Sequence, residues 1–194
     1  MNNTEVIEAI KHGAVGVLPT DTVYGLVCSA AKEQSVQRLY QLKSREMKPG
    51  TLVAASVDQL VELGIPRRYL VAVQDYWPGA ISIVIPLGLK LPYLHQGKGS
   101  IAVRVPGDEQ FRDVLLQTGP LLTSSANQPG ETPAVNINEA KHYFSDTVDF
   151  YQDGGDLSGR EPSTIIRVVD DTIEVLRQGA AIITKSGEVD THAI

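Results

Sequence analysis

A single cysteine, Cys28, is all the thiol chemistry the chain has. No disulfide can close within it, which suits a reducing cytosol, the compartment expected for it. Aromatic residues are few: three Phe, one Trp and seven Tyr, 6% of the chain. Stacking nucleic-acid bases on aromatic side chains therefore has little to work with. Positive charge is also short. Seventeen Lys and Arg against 23 Asp and Glu give a formal net charge of −6. Such a chain repels a nucleic-acid backbone unless its cations gather in one place, although a local basic pocket for a small anion stays open. Long apolar runs are missing too. The longest, 80–89, is interrupted by Pro86 and falls short of the roughly 18 residues that span a bilayer, so no membrane span is expected. Met1-Asn2-Asn3-Thr4-Glu5 has neither a basic flank nor an apolar core, unlike a secretory signal.

Several catalytic signatures are missing as well. No G-x-G-x-x-G follows a strand, and no G-x-S-x-G elbow exists. Gly97-Lys98-Gly99-Ser100 is similar to the end of a phosphate-binding P-loop, but the glycine that pattern needs is Pro92. His12, His95, His142 and His192 are scattered, never at metal-ligand spacing. No dedicated metal site is expected, and no general base or nucleophile presents itself.

What remains is an ordinary globular composition. With 194 residues, 42% of them hydrophobic, there is enough apolar surface for one domain. Apolar spacing predicts helices over 4–12, 34–42, 56–63, 66–77, 109–117 and 138–144. Short branched-apolar runs predict strands over 15–18, 51–55, 81–85, 101–105 and 121–123. A hairpin is predicted from 165–169 and 173–176 across Asp170-Asp171. Strands and helices mingle without strict alternation, so the class is α/β or α+β with a mixed twisted sheet.

Polar residues cluster where these strands end. Pro19-Thr20-Asp21-Thr22-Val23-Tyr24-Gly25-Leu26 reads either as a ligand-approaching loop or as a turn capped by threonine hydroxyls. Lys43 and Arg45, followed by Lys48-Pro49, read as a phosphate fork or as ordinary basic capping of a helix end. Arg104 sits inside the apolar strand Ser100-Ile101-Ala102-Val103-Arg104. Burying it unpaired is costly, so it calls for a carboxylate, either internal or from a ligand. Thr123-Ser124-Ser125-Ala126-Asn127 leads into Gln128-Pro129-Gly130, either a site of small donors and acceptors or a capped turn. Pro162-Ser163-Thr164 opens the hairpin, and Arg177-Gln178-Gly179 closes it.

The order of these elements says more than any one of them. P-T-D-T-V-Y-G-L, K-x-R-x-x-K-P, A-V-R-V-P, S-A-N-x-x-G, P-S-T-I-I and R-x-G follow one another between Val17 and Gly179. The series resembles the YrdC-type threonylcarbamoyl-adenylate synthases in their short, single-domain form. The resemblance implies a YrdC-like domain over 1–179 and a lightly packed tail over 180–194. It implies an open twisted mixed sheet flanked by helices, with a basic concave cavity. Position by position, it implies that Thr22, Arg104 and Ser163 contact threonine, with Thr123 and the Ala54 backbone nearby. It implies that Lys43, Arg45, Lys48, Ser125, Asn127 and Arg177 hold the nucleotide, with Ser100 and Thr132-Pro133 bordering the adenosine. Two positions depart from the pattern: Ala54 stands where many relatives have histidine, and Trp77-Pro78-Gly79-Ala80-Ile81-Ser82 replaces P-G-P-x-T.

The implied reaction converts L-threonine, bicarbonate or CO2, and ATP into an acyl-adenylate, with Mg2+ accompanying the triphosphate. A separate transferase complex then passes the acyl group to adenosine 37 of tRNA. The rival reading is a module that binds double-stranded RNA or assists ribosome maturation. Acidity and scarce aromatics count against it.

Overall fold

The computed structural model describes residues 1–44, 48–170, 172–184 and 189–190. Helix α1 spans Asn3–Lys11 and is capped reciprocally: the Asn2 side chain accepts from the Glu5 N–H, and the Glu5 carboxylate accepts from the Asn2 N–H. Strands β1 (Gly16–Pro19) and β2 (Tyr24–Ser29) follow, then α2 (Glu33–Leu42) and β3 (Thr51–Val53). Helices α3 (Val57–Leu63) and α4 (Arg67–Val71) lead to β4 (Ile81–Pro86). Next come α5 (Pro92–His95), β5 (Ser100–Arg104), α6 (Glu109–Thr118), β6 (Leu121–Ser125), α7 (Ile137–Phe144) and β7 (Phe150–Tyr151). The hairpin β8 (Thr164–Val169) and β9 (Thr172–Arg177) precedes a small pair, β10 (Ile182–Ile183) and β11 (Val189–Asp190).

The first nine strands form one mixed sheet in the order β7-β1-β2-β6-β3-β5-β4-β8-β9. The expected mixed α/β class, a sheet flanked by helices, is what the chain adopts. Two local expectations need correcting. Tyr24–Ser29 is a central strand rather than loop: every residue in it is buried, so its apolar run is continuous instead of alternating, as in strands covered on both faces. The helix expected over 66–77 is shorter, ending at Val71 with a separate 3-10 turn over Gln74–Tyr76. The segment after Gly179 begins with Ala181 buried and β10 paired to β11.

Strand parity builds the layers. Leu52, Leu122, Ile101, Val103, Ile83 and Ile166 share one face and join the larger core with Val36 and Leu39 of α2, Leu70 of α4 and Phe144 of α7. Among the described residues, the opposite face is covered at one end. There Val6 and Ile10 of α1 and Phe111 and Leu115 of α6 pack on Leu18, Val27, Val53 and Leu121. The rest of that face is not covered by α1 or α6.

Candidate active site

The uncovered half of the sheet floors a cavity of about 380 Å3. The register explains its lining. Thr51 pairs with both Ala102 and Thr123, Ser125 pairs with Gly25, and Ile165 pairs with Arg177. Residues two apart on a strand share a face, so Thr51, Thr123, Ser125, Ser100, Ala102 and Arg104 all lie on the cavity side. The loop between β1 and β2 closes one wall through Thr20 and Thr22. Glycine is required at two close approaches. A Cβ on Gly50 would sit 2.5 Å from the Thr123 carbonyl, and one on Gly179 would sit 2.0 Å from the Pro162 carbonyl.

Arg104 resolves the choice its sequence left open. Its partner is internal: Nη1 donates to Asp21 Oδ2 at 2.9 Å, with Oδ1 equally near. Both side chains are deeply buried, 4% and 6% exposed. Burial raises the Asp21 carboxyl above its ordinary value, and the Arg104 charge opposes that rise. The pairing is incomplete, because the buried Arg104 Nε has no hydrogen-bond partner.

The hydroxyls have a defined sense. Thr20 Oγ1 donates its one proton to the Val23 carbonyl at 2.7 Å. Its 3.1 Å contact with Thr22 Oγ1 must then have Thr22 as donor, which leaves Thr22 with free lone pairs. Thr123 likewise donates to the Thr51 carbonyl at 3.3 Å and is left as an acceptor. Ser163 Oγ lies 2.8 Å from Ser82 Oγ. Arg177 Nη2 donates to the Ser163 carbonyl at 2.6 Å, tying the end of β9 to the start of the hairpin.

Thr22, Arg104, Thr123, Ser163, Ser100, Ser125 and Arg177 thus meet in one cavity. Five other expected residues lie outside its wall. Ala54 puts its methyl in the core, and its N–H donates to the Arg104 carbonyl at 3.1 Å. Lys43 is only 3% exposed. Its ammonium donates to the Ser125 carbonyl at 2.9 Å and to both oxygens of Asn127. Asn127 Nδ2 in turn donates to the Gln128 and Glu131 carbonyls. The Lys48 N–H donates to Gln96 Oε1 at 2.9 Å, and Pro133 is half-buried beyond the turn. Arg45 lies outside the described residues. Among the described residues, no group of three or more His, Cys, Asp and Glu is placed to hold a metal ion.

The family model for Sua5, YciO and YrdC, described as telomere recombination, matches residues 8–179. The chain belongs to this family. It is 34% identical over 168 residues to the threonylcarbamoyl-AMP synthase of Marinobacter nauticus, covering 84% of this chain and 88% of that one. A crystal structure of Sua5 from P. abyssi complexed with L-threonine superposes with a TM-score of 0.81 at 25% identity. That match covers 93% of this chain and 55% of the other, so this chain spans about half of Sua5. YciO from E. coli matches at 0.80 with 24% identity, over 94% and 91% of the two chains.

Two cavity residues escaped the motif reading, Lys98 and Arg167, and so did the role of Asp21, buried against Arg104. Asp21 lies inside a quoted motif, but its role depends on a partner 83 positions away. Lys98 sits in the glycine-rich stretch set aside for lacking the P-loop pattern. Arg167 faces the cavity from β8 and pairs with Glu174 at 3.4 Å.

Proposed function

We propose that the chain joins L-threonine, bicarbonate or CO2, and ATP into L-threonylcarbamoyladenylate and releases pyrophosphate. The observation that carries this reading is the donor and acceptor sense of the cavity. Hydroxyl lone pairs of Thr22 and Thr123 suit an amine that donates. The Arg104 guanidinium, which lines the cavity, suits a carboxylate. An amino acid presents both. Along the same cavity, Arg177, Arg167 and Lys98 supply the charge a polyphosphate needs.

In this reading Thr22, Arg104, Thr123 and Ser163 hold threonine, with the Ala54 backbone buttressing Arg104. Lys48, Ser100, Ser125, Arg177 and the stretch at Pro133 serve ATP. Arg45 joins them from its motif position. Lys43 and Asn127 act by fixing the turn that carries Ser125.

The amine nitrogen attacks the carbon of CO2 and loses a proton, giving a carbamate. A carbamate oxygen attacks the α-phosphorus, and the bond to the bridging oxygen breaks with pyrophosphate leaving. None of the described residues lining the cavity is a dedicated base, so the rate comes from positioning and from stabilised charge. Mg2+ would arrive on the triphosphate, coordinated by phosphate oxygens and water. The product, a mixed anhydride, goes to a separate transferase complex that modifies tRNA, and we place both steps in the cytosol. The named synthase relative counts against the alternative of an RNA-binding module. The test is a pyrophosphate-release assay omitting each substrate in turn. Release should need all three, and equal ATP cleavage without threonine would sink the reading.

A further inference from the structure

The glycine-rich stretch Gly97-Lys98-Gly99-Ser100 lacks the P-loop pattern, yet Lys98 and Ser100 both line the cavity. The stretch follows the short helix α5 as a tight turn. Gln96, Gly97 and Gly99 have positive φ, 49°, 80° and 69°, a backbone that glycine adopts without strain. The amides of Lys98 and Gly99 do not cradle an anion, because both are already spent. The Lys98 N–H donates to the His95 carbonyl at 2.9 Å, and the Gly99 N–H donates to His95 Nδ1 at 3.1 Å. What the turn offers a ligand here is the Lys98 side chain.

The backbone on both sides of Lys98 is pinned. His95 is buried, and since its Nδ1 accepts from Gly99, its Nε2 carries the proton and donates to the Lys90 carbonyl at 3.0 Å. The Gly99 carbonyl accepts from the Leu87 and Gly88 N–H groups at 2.7 and 3.0 Å. Gln96 Oε1 accepts from the Lys48 N–H, which ties the turn to the segment carrying the motif lysine. The other cavity cations are engaged: Arg104 pairs with Asp21, Arg167 pairs with Glu174, and Arg177 donates to Ser163. Lys98 is exposed at the rim, and its ammonium has no ion-pair or hydrogen-bond partner among the described residues.

We propose that Lys98 binds the β- and γ-phosphates of ATP, and so the pyrophosphate they become. This deepens the functional reading above and rests on it. Arg104 and Ser100 stand at opposite ends of β5, roughly 13 Å apart for a strand of this length. Thr123 and Thr51 cross the sheet level with Ala102, between those ends. The α-phosphorus must lie beside the carbamate, which is built on the amine that Thr22 and Thr123 receive. Pyrophosphate needs a path from there to solvent, and the rim beyond Ser100 is exposed at Lys98. Lysine is a mobile point charge, which suits a group that must be drawn outward and then released.

The experiment compares wild type with Lys98→Gln, which removes the charge, and Lys98→Arg, which keeps it. Calorimetry measures binding of inorganic pyrophosphate, AMP and ATP, each with Mg2+. Steady-state pyrophosphate release gives the KM for ATP and for threonine. Thermal melts check folding, and both variants should melt as wild type does, since the Lys98 side chain carries no structural bond. Lys98→Gln should weaken pyrophosphate and ATP about five- to tenfold, the low end for a charge-assisted contact because the site is exposed. AMP, which lacks the outer phosphates, and the threonine KM should stay within about twofold. Lys98→Arg should recover most of the loss. Unchanged pyrophosphate binding in Lys98→Gln would overturn the assignment and leave Lys98 a solvated rim charge. An equal loss for AMP, or a raised threonine KM, would overturn it by moving the contact to the α-phosphate or to the amino acid. Each of these leaves the functional reading standing. Threonine-independent ATP cleavage by wild type, with pyrophosphate binding still dependent on Lys98, would overturn the functional reading and not the contact.

Discussion

The second face of the sheet is two regions on the same strands. Toward α1 and α6, β6 contributes Leu121 and β3 contributes Val53, both fully buried. Two residues further along β6 stand Thr123 and then Ser125, and two residues back along β3 stands Thr51. The change from branched apolar to hydroxyl occurs where helix cover stops. Burying apolar surface stabilises the covered half, by roughly 25 cal/mol per Å2 removed from water. The uncovered half gives up that gain and keeps polar groups that a ligand can use. Arg104 lies on the boundary, paired across from Val53.

The largest expected effect comes from that boundary. Arg104→Ala leaves Asp21 buried without its counter-charge, and breaking a buried pair from one side costs about 3–5 kcal/mol. Denaturant unfolding should register that loss. In the fraction that remains folded, pyrophosphate release should need far more threonine at unchanged ATP. A variant as stable as wild type would mean that Asp21 is relieved by water, and that the boundary is wetter than its burial implies.

A pair of substitutions two residues apart separates the halves. Leu121→Ala, under α1 and α6, opens a cavity and should cost about 2–5 kcal/mol, with the threonine and ATP dependences of the folded enzyme unchanged. Thr123→Val keeps shape and removes the hydroxyl. It should change stability by about 1 kcal/mol or less, since the Thr51 carbonyl loses one weak bond, yet raise the threonine KM. Urea titration together with steady-state kinetics decides it. The comparison fails if Leu121→Ala shifts KM or Thr123→Val does not.

Much of this was legible in the sequence, because local patterns encode it. The hairpin, the apolar strands and most helices follow from spacing. Thr22, Arg104, Thr123 and Ser163 stand out as polar residues at strand ends. Strand β2 was not legible, since burial on both faces removes the alternation that marks a strand. Nor was the partner of Arg104, because nothing local says that a residue 83 positions earlier returns to meet it. Lys43 shows the same limit in reverse. Its motif suggests a phosphate ligand, while the fold turns its ammonium onto the carbonyls of the Ser125–Asn127 turn.

The smallest expected effect comes from a second arginine–aspartate pair that carries no substrate. Arg38 on α2 donates to Asp149 Oδ2 at 2.5 Å, and the Val15 N–H donates to the same oxygen at 2.8 Å. This pair fastens α2 and the start of β1 to the segment before β7. Its side chains are 40% and 38% exposed, so solvent screens it and its stabilisation is modest. Burial acts to raise the Asp149 carboxyl, but the bonds from Arg38 and Val15 outweigh it and hold the group below its ordinary value. A depressed carboxyl stabilises the fold above its unfolded value, about 3.9, and that contribution is lost as pH falls through the folded value. Asp21 has the opposite sign. Its raised carboxyl favours the fold at pH below the unfolded value, and that advantage fades as pH rises through the folded one. Asp149→Asn should therefore be slightly less stable than wild type near neutrality and lose less on acidification below about pH 4. Urea unfolding of the two proteins from pH 6 down to about pH 3 measures this. The two stability curves should converge toward low pH, and a gap that stays constant with pH would show that Asp149 stabilises through shape and not through charge.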